Sequence, residues 1–234
     1  MRVQDMNWMD MERYLEKEDR CVVPVGCTEQ HSYLSLATDS ILAERVSVEA
    51  ADPLGVVVFP VLPYGVTPTL KAYPGSVSLR VETMGRVVED ALDGLYEQGF
   101  RRILIVNGHG GNQPVAQIAA EWTYDHADAS ARFHNWWNAP RTWATVQSVD
   151  PVASHGSWME NFPWTRLPNV AVPEEQKDPV NPSAMHGVSP EEVRRVLGDG
   201  NFAGRYRRPD EDMRRIWEEG VLETRSLLEN WTIR

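Results

Sequence analysis

The run Ile103-Leu104-Ile105-Val106-Asn107-Gly108-His109-Gly110-Gly111-Asn112 decides the reading of this chain. Aliphatic residues in succession, with no polar alternation, predict a strand buried on both faces, as in a parallel sheet covered by helices. The glycines end it and leave His109 just beyond its carboxyl end, the edge at which open α/β sheets bind ligands. Flanked by residues without bulk, that imidazole has little to pack against. The backbone around it is free to approach a ligand closely.

Two more runs have the same character. Residues 21–25, ended by Gly26, predict the first strand; residues 56–59 with 61–62, ended by Pro63-Tyr64-Gly65, predict the second. Arg132-Phe133-His134-Asn135 predicts a fourth. Helical periods lie between them. Residues 6–18 mix Trp8, Met9, Met11 and Leu15 with charges, a short amphipathic helix. Ile41, Leu42, Arg45, Val46 and Glu49 keep a 3.6 period from a start at Thr38 or Asp39. Met84, Val87, Val88, Ala91, Leu92 and Leu95 form the stripe of a helix capped by Thr83 and stopped by Gly99. Val115, Ile118, Ala119 and Trp122 mark a helix over 114–127. Ser189-Pro190-Glu191-Glu192 is a capping box that opens a short helix to Leu197. A last helix over 211–229 buries Met213, Ile216, Trp217 and Leu228. The alternation predicts an α/β fold: a three-layer α/β/α domain with a mostly parallel central sheet, residues 1–234 forming one domain.

Composition narrows the partners. A chain of 234 residues, 42% hydrophobic and 24% charged, has material for a substantial core. Its formal charge of −11 argues against nucleic acid or an anionic membrane as a partner. Cys21 and Cys27 flank the first strand and fit two small buried residues better than a disulfide. No apolar run approaches the ~20 residues of a membrane span, and the first residues hold no apolar signal core. A cytoplasmic location is expected.

The chemistry-bearing residues gather at strand edges. Glu29 and His31, two apart after the first strand, share one side of an extended loop. Asp39 opens the next helix, and His109 follows the third strand. Singly, each carboxylate has a plainer reading, Glu29 in a solvated loop and Asp39 as a helix cap. Together they are the donor set of Zn²⁺, Mn²⁺ or Fe²⁺ sites. The turn Gly108–Asn112 also has the small residues of a phosphate cradle, but it lacks the Gly-x-Gly-x-x-Gly spacing and no Lys-Ser or Lys-Thr follows. His155 lies in a polar loop with Glu160 five residues on, while His126, His134 and His186 read as ordinary surface or core histidines.

In order and spacing, Pro24-Val25-Gly26-Cys27-Thr28-Glu29-Gln30-His31, Thr38-Asp39, Tyr64-Gly65, Tyr73-Pro74-Gly75-Ser76 and the Asn107–Asn112 turn resemble the creatininase (creatinine amidohydrolase) family, over roughly residues 20–161. The resemblance implies two divalent metal ions per subunit, Zn²⁺ and/or Mn²⁺ with Fe²⁺ as an alternative, bridged by Asp39. Glu29 binds one, His31 the other, and His109 is a further ligand. The carboxylate that creatininase itself carries two residues after that His is here Gly111, and Glu160 is the match in members with this glycine turn. His155 takes the place of the catalytic acid/base. Thr67, Ser76, Gly108, Trp136 and Trp158 are assigned to the substrate. Ser32-Tyr33-Leu34-Ser35-Leu36, Thr69-Leu70 and His155-Gly156-Ser157 depart from the family's Gly-Pro-His-Leu-Pro, Glu-His and His-Ala-Gly. The metal chemistry is therefore expected to be kept and the specificity to differ.

The implied activity is that of a dinuclear metal-dependent amidohydrolase, using a metal-activated water on the C–N bond of a cyclic amide or formamide-type small molecule. The alternatives are a peptidase-like member acting on a peptide-derived bond, a non-catalytic phosphate- or nucleotide-binding module, and a structural subunit that has lost catalysis. The resemblance also implies a homo-oligomer, with a hexamer as one form. Trp136, Trp137, Trp143, Trp158 and Trp164 surround the His155 segment. They read equally as core or oligomer contact and as a pocket wall that packs on a flat substrate and excludes water.

Overall fold

The computed structural model describes residues 1–229, 231 and 232. Four strands, β1 (Arg20–Val25), β2 (Val57–Val58), β3 (Arg102–Asn107) and β4 (Ser130–Asn135), form one sheet in the order β2-β1-β3-β4, every pair parallel. Side chains alternate between the two faces, and both faces are buried. Cys21, Val23, Val25, Ile103 and Ile105 join one apolar core; Val22, Leu104 and Val106 join the other. Helices α1 (Trp8–Leu15), α3 (Val81–Gln98) and α4 (Pro114–Asp125) cover the first face. The second face is covered by α2 (Thr38–Ala51), α5 (Pro140–Val149) and α7 (Asp210–Glu229). The short α6 (Pro190–Leu197) packs Val193 and Leu197 on Leu70 and Tyr73. The expected three layers are present.

Register and order together locate the site. Val25 pairs with Asn107, and Asn107 with Asn135, so three strands end flush. From β1 the chain steps outward to β2, then returns to the other side of β1 with β3 and continues to β4. This reversal between β1 and β3 opens a crevice at their carboxyl ends.

Two expectations need correction, and one helix was not expected. The second strand keeps only Val57–Val58 in the ladder: Phe59 N still donates to Val22 O, but one extra residue then intervenes before Leu62 N donates to Pro24 O, which breaks the alternation. Leu62 rejoins β1 as an isolated bridge to Val25. Helix α3 starts at Val81 with Arg80 before it, so Thr83 lies inside the first turn and caps nothing. Helix α5, unread in the sequence, has its N-terminal amides held by Glu223 of α7, which accepts from Arg141 N, Thr142 N and Thr142 Oγ1. Both cysteines are free and buried. Among the described residues no helix is long and apolar enough to cross a membrane.

His134 of β4 is buried beside α7, its Nε2 3.0 Å from Thr224 Oγ1. Burial lowers its pKa from 6.5 to about 4, against a smaller opposing pull from Glu223. Unfolded, the ring takes a proton near 6.5. Between the two values the unfolded chain holds the extra proton, so this stability is complete above about 6.5 and is lost as pH falls through 4. At pH 5 the loss is on the order of 2 kcal/mol. Urea midpoints at pH 7 and pH 5 should therefore diverge in the wild type and draw together in His134→Gln.

Candidate metal centre

Beyond β1 the loop carrying Glu29 and His31 turns back under the start of α2, whose first turn supplies Asp39. Beyond β3 comes His109, and a short turn at Trp158–Glu160 brings Glu160. These residues converge. Asp39 divides its carboxylate: Oδ1 is 3.0 Å from His31 Nε2, and Oδ2 is 3.2 Å from His109 Nδ1. Glu29 Oε1 lies 3.1 Å from the same His109 nitrogen, and Glu160 Oε1 lies 3.9 Å from the His31 nitrogen. His155 closes the group, with Nδ1 3.6 Å from Glu29 Oε1 and its ring 4.4 Å from that of His31.

Backbone carbonyls aim the imidazoles. His31 Nδ1 faces Glu29 O at 3.1 Å, His109 Nε2 faces Val66 O at 3.0 Å, and His155 Nε2 faces Gln30 O at 2.9 Å. A carbonyl accepts only an N–H, so these contacts leave the other nitrogen of each ring facing the carboxylates, where it can ligate a metal once its proton is displaced. Buried Glu29 Oε2, His31 Nε2 and Asp39 Oδ2 have no hydrogen-bond partner. Burial works against charge on His31, yet Asp39, Glu160 and Glu29 overcome it and raise the ring to about 10. His109 is likewise raised well above its ordinary value, burial notwithstanding, by Asp39, Cys27 and Glu29. Asp39 is held far below the usual carboxylate range by the two imidazoles, although burial alone would raise it. Such a cluster favours a cation, and its O and N donors suit Zn²⁺ or Mn²⁺. The donor set fits the expected metals.

Two glycines make the convergence possible. A Cβ on Gly108 would lie 2.3 Å from Asp39 O, so only glycine lets α2 sit this close to the end of β3. A Cβ on Gly111 would lie 1.9 Å from Val66 O and 2.5 Å from His109 Nε2. No side chain fits at 111, and the carboxylate near His31 arrives instead from Glu160.

The cluster opens into a cavity of about 670 Å³ lined by Thr67, Gly108, Trp137, Trp143, Met159 and Phe202 among others. Neither Lys nor Arg is in its lining. Trp136 and Trp158 are not there either. Trp136 packs edge-on against Trp217 at 5.3 Å in the core beneath α7, and Trp158 is fully buried with its indole N–H donated to Val152 O. Their neighbours Trp137 and Trp143 form the aromatic wall. Ser76 also stands off the cavity; its hydroxyl accepts from Gln30 N. The phosphate-cradle reading finds no support, since Glu29, Asp39 and Glu160 face the cavity of the glycine turn and would repel an anion.

Sequence reasoning missed Gln30 and Phe202. The Gln30 amide meets both His155 Nε2 at 3.0 Å and Gly200 O at 3.1 Å, while Phe202 lies 4.9 Å from the His155 ring. Nothing local marks either residue, because the contacts cross well over a hundred positions for Gln30 and tens for Phe202.

A family model described as creatininase, creatinine amidohydrolase, matches residues 4–227. The creatinine amidohydrolase of Pseudomonas putida is 32% identical over 118 residues, 47% of this chain and 45% of that one. The mycofactocin precursor peptide peptidase of Mycolicibacterium smegmatis is 33% identical over 116 residues, 46% of this chain and 47% of that one. These matches span a little under half the length of the curated relatives. In fold, a crystal structure of creatinine amidohydrolase matches with a TM-score of 0.80 at 21% identity, over 97% of this chain and 96% of that one. Creatininase structures in a Zn–Zn form and a Mn form match at 0.80 and 0.81. With nearly its whole length under the family model, the chain belongs to the creatininase family.

Proposed function

We propose that this chain is a dinuclear metal-dependent amidohydrolase acting on a C–N bond of a small cyclic amide or formamide-type substrate. The observation that carries this reading is the division of Asp39 between His31 and His109. It supports two groups of donors, one on either side of this carboxylate, that would each hold an ion: His31 with Glu160 and His109 with Glu29. When bound, two divalent ions such as Zn²⁺ or Mn²⁺ supply Lewis acidity that makes hydroxide available near neutral pH and polarises a carbonyl.

The remaining work falls to side chains. His155, held at Nε2 by the Gln30 carbonyl, presents Nδ1 to the centre. That nitrogen takes the proton released by the attacking water and passes it to the departing nitrogen, a transfer suited to an imidazole. Trp137, Trp143 and Phe202 offer flat apolar surface and exclude water around the reacting bond. Without Lys or Arg in the lining, the cavity favours a substrate whose unreacting end is uncharged. The second reading, a peptide-derived bond, draws on the 33% identity to a peptide peptidase. Turnover of a panel of cyclic amides and formamides against short peptides separates the two.

Metal analysis comes first. Purified chain is expected to hold about two divalent ions, falling to one or none in Asp39→Ala. A wild type that carries no metal and takes up none from added Zn²⁺ or Mn²⁺ overturns the proposal. His155→Ala should keep its metals while kcat drops roughly 10²–10⁴-fold, the usual scale for loss of a general acid/base. Gly111→Ala, with no chemical group removed, should lower metal content and cost roughly 1–3 kcal/mol in denaturant unfolding, because its methyl displaces His109 or Val66.

A further inference from the structure

A second cavity, of about 750 Å³, shares no lining residue with the metal-centre cavity and plays no part in the reading above. Arg166, Arg205, Arg207 and Arg208 line it, in a chain whose formal charge is −11. Their charges are not all met within the protein. Arg166 pairs with Asp210 at 2.6 Å and donates to Asn161; Arg208 pairs with Asp150. Arg207 pairs with Glu174 at 3.1 Å, but with side chains 60% and 85% exposed this contact is worth little. Arg205 makes no side-chain hydrogen bond or close ion pair among the described residues, and the Nε of Arg208 is buried without an acceptor. Both residues line this one cavity, Arg205 without a side-chain partner and Arg208 with its Nε unpaired. The lining also has apolar surface, with Leu167 45% and Val170 40% exposed.

We infer that this cavity binds a small organic oxyanion, its phosphate or carboxylate head between Arg205 and Arg208 and its apolar body against Leu167 and Val170. Guanidinium groups match such heads in planar, charge-assisted hydrogen bonds. In a chain of net charge −11, the lining of this cavity sets four guanidinium groups against two carboxylates, Glu174 and Asp210, and so holds an excess of positive charge. The cavity is separate from the substrate cavity and is linked to it only through neighbouring residues. Leu34 bridges to Arg166 on the loop that carries His31, and Asn161 follows Glu160.

Calorimetric titration with phenyl phosphate, inorganic phosphate and benzoate at low ionic strength tests the inference on wild type, Arg205→Ala, Arg205→Glu and Asp39→Ala. One saturable phenyl phosphate site per chain is expected, tighter than inorganic phosphate because of the apolar wall. It should weaken about tenfold in Arg205→Ala, further in Arg205→Glu, and not at all in Asp39→Ala. Comparison with benzoate tells which head group the arginines prefer. Arg205 holds no partner, so its variants should fold; Arg207→Ala, at an exposed position, is a second variant with the same expected direction. Binding that survives Arg205→Glu but disappears in Asp39→Ala places the anion on the metal centre and overturns the inference. So does the absence of saturable heat, or Arg205-dependent self-association with no anion binding.

Discussion

The structure depends on one buried carboxylate that serves two imidazoles. Asp39 is almost wholly inaccessible, yet burial without compensation would cost it several kcal/mol. His31 approaches one oxygen and His109 the other, and each ring is fixed from behind by a main-chain carbonyl. That demand explains the local backbone. The first turn of α2 must lie against the end of β3, which only Gly108 permits, and the segment at Val66 must reach His109 past Gly111. The flush ends of β1 and β3 bring these pieces to one level. Here the sheet supplies position, and the charge balance decides which residues can occupy it.

Much of this was legible because it is local. Unbroken apolar runs announced β1 and β3, and Glu29, His31, Asp39 and His109 lie within a few residues of strand or helix ends, where topology determines direction. What could not be read has a common cause, contact at long range. Helix α5 has no local cap, and its amides are satisfied by Glu223 some eighty positions away. The pairing of β2 stops where an extra residue shifts the donors between Phe59 and Leu62, while residues 61–62 look as strand-like as those before them. The tryptophans were legible as a group and not one by one. Trp136 and Trp137 are adjacent, yet one enters the core and the other faces the cavity, since they open a 3-10 turn just past β4 in which successive side chains diverge by about a third of a turn.

Trp158 shows what such a core residue does for the centre. Glu160 and His155 come from a stretch with no regular element longer than one short turn. That stretch is held by its own interior: the Trp158 ring fills the core, its indole N–H bonds Val152 O, and its backbone N–H bonds Arg205 O. Asn161 then ties the far side to Arg166 and Tyr206 O. Glu160 is bracketed between a buried indole and a buried amide, and its Oε2 also accepts from Gly156 N at 2.6 Å. An aromatic side chain with no exposed surface thus sets the carboxylate beside His31. Loss of that packing would be felt first at the pair His31 and Glu160, because His109 and Glu29 are positioned by the strands themselves. The two halves of the centre therefore rest on different parts of the fold, one on the sheet and one on an aromatic core that the C-terminal helix completes.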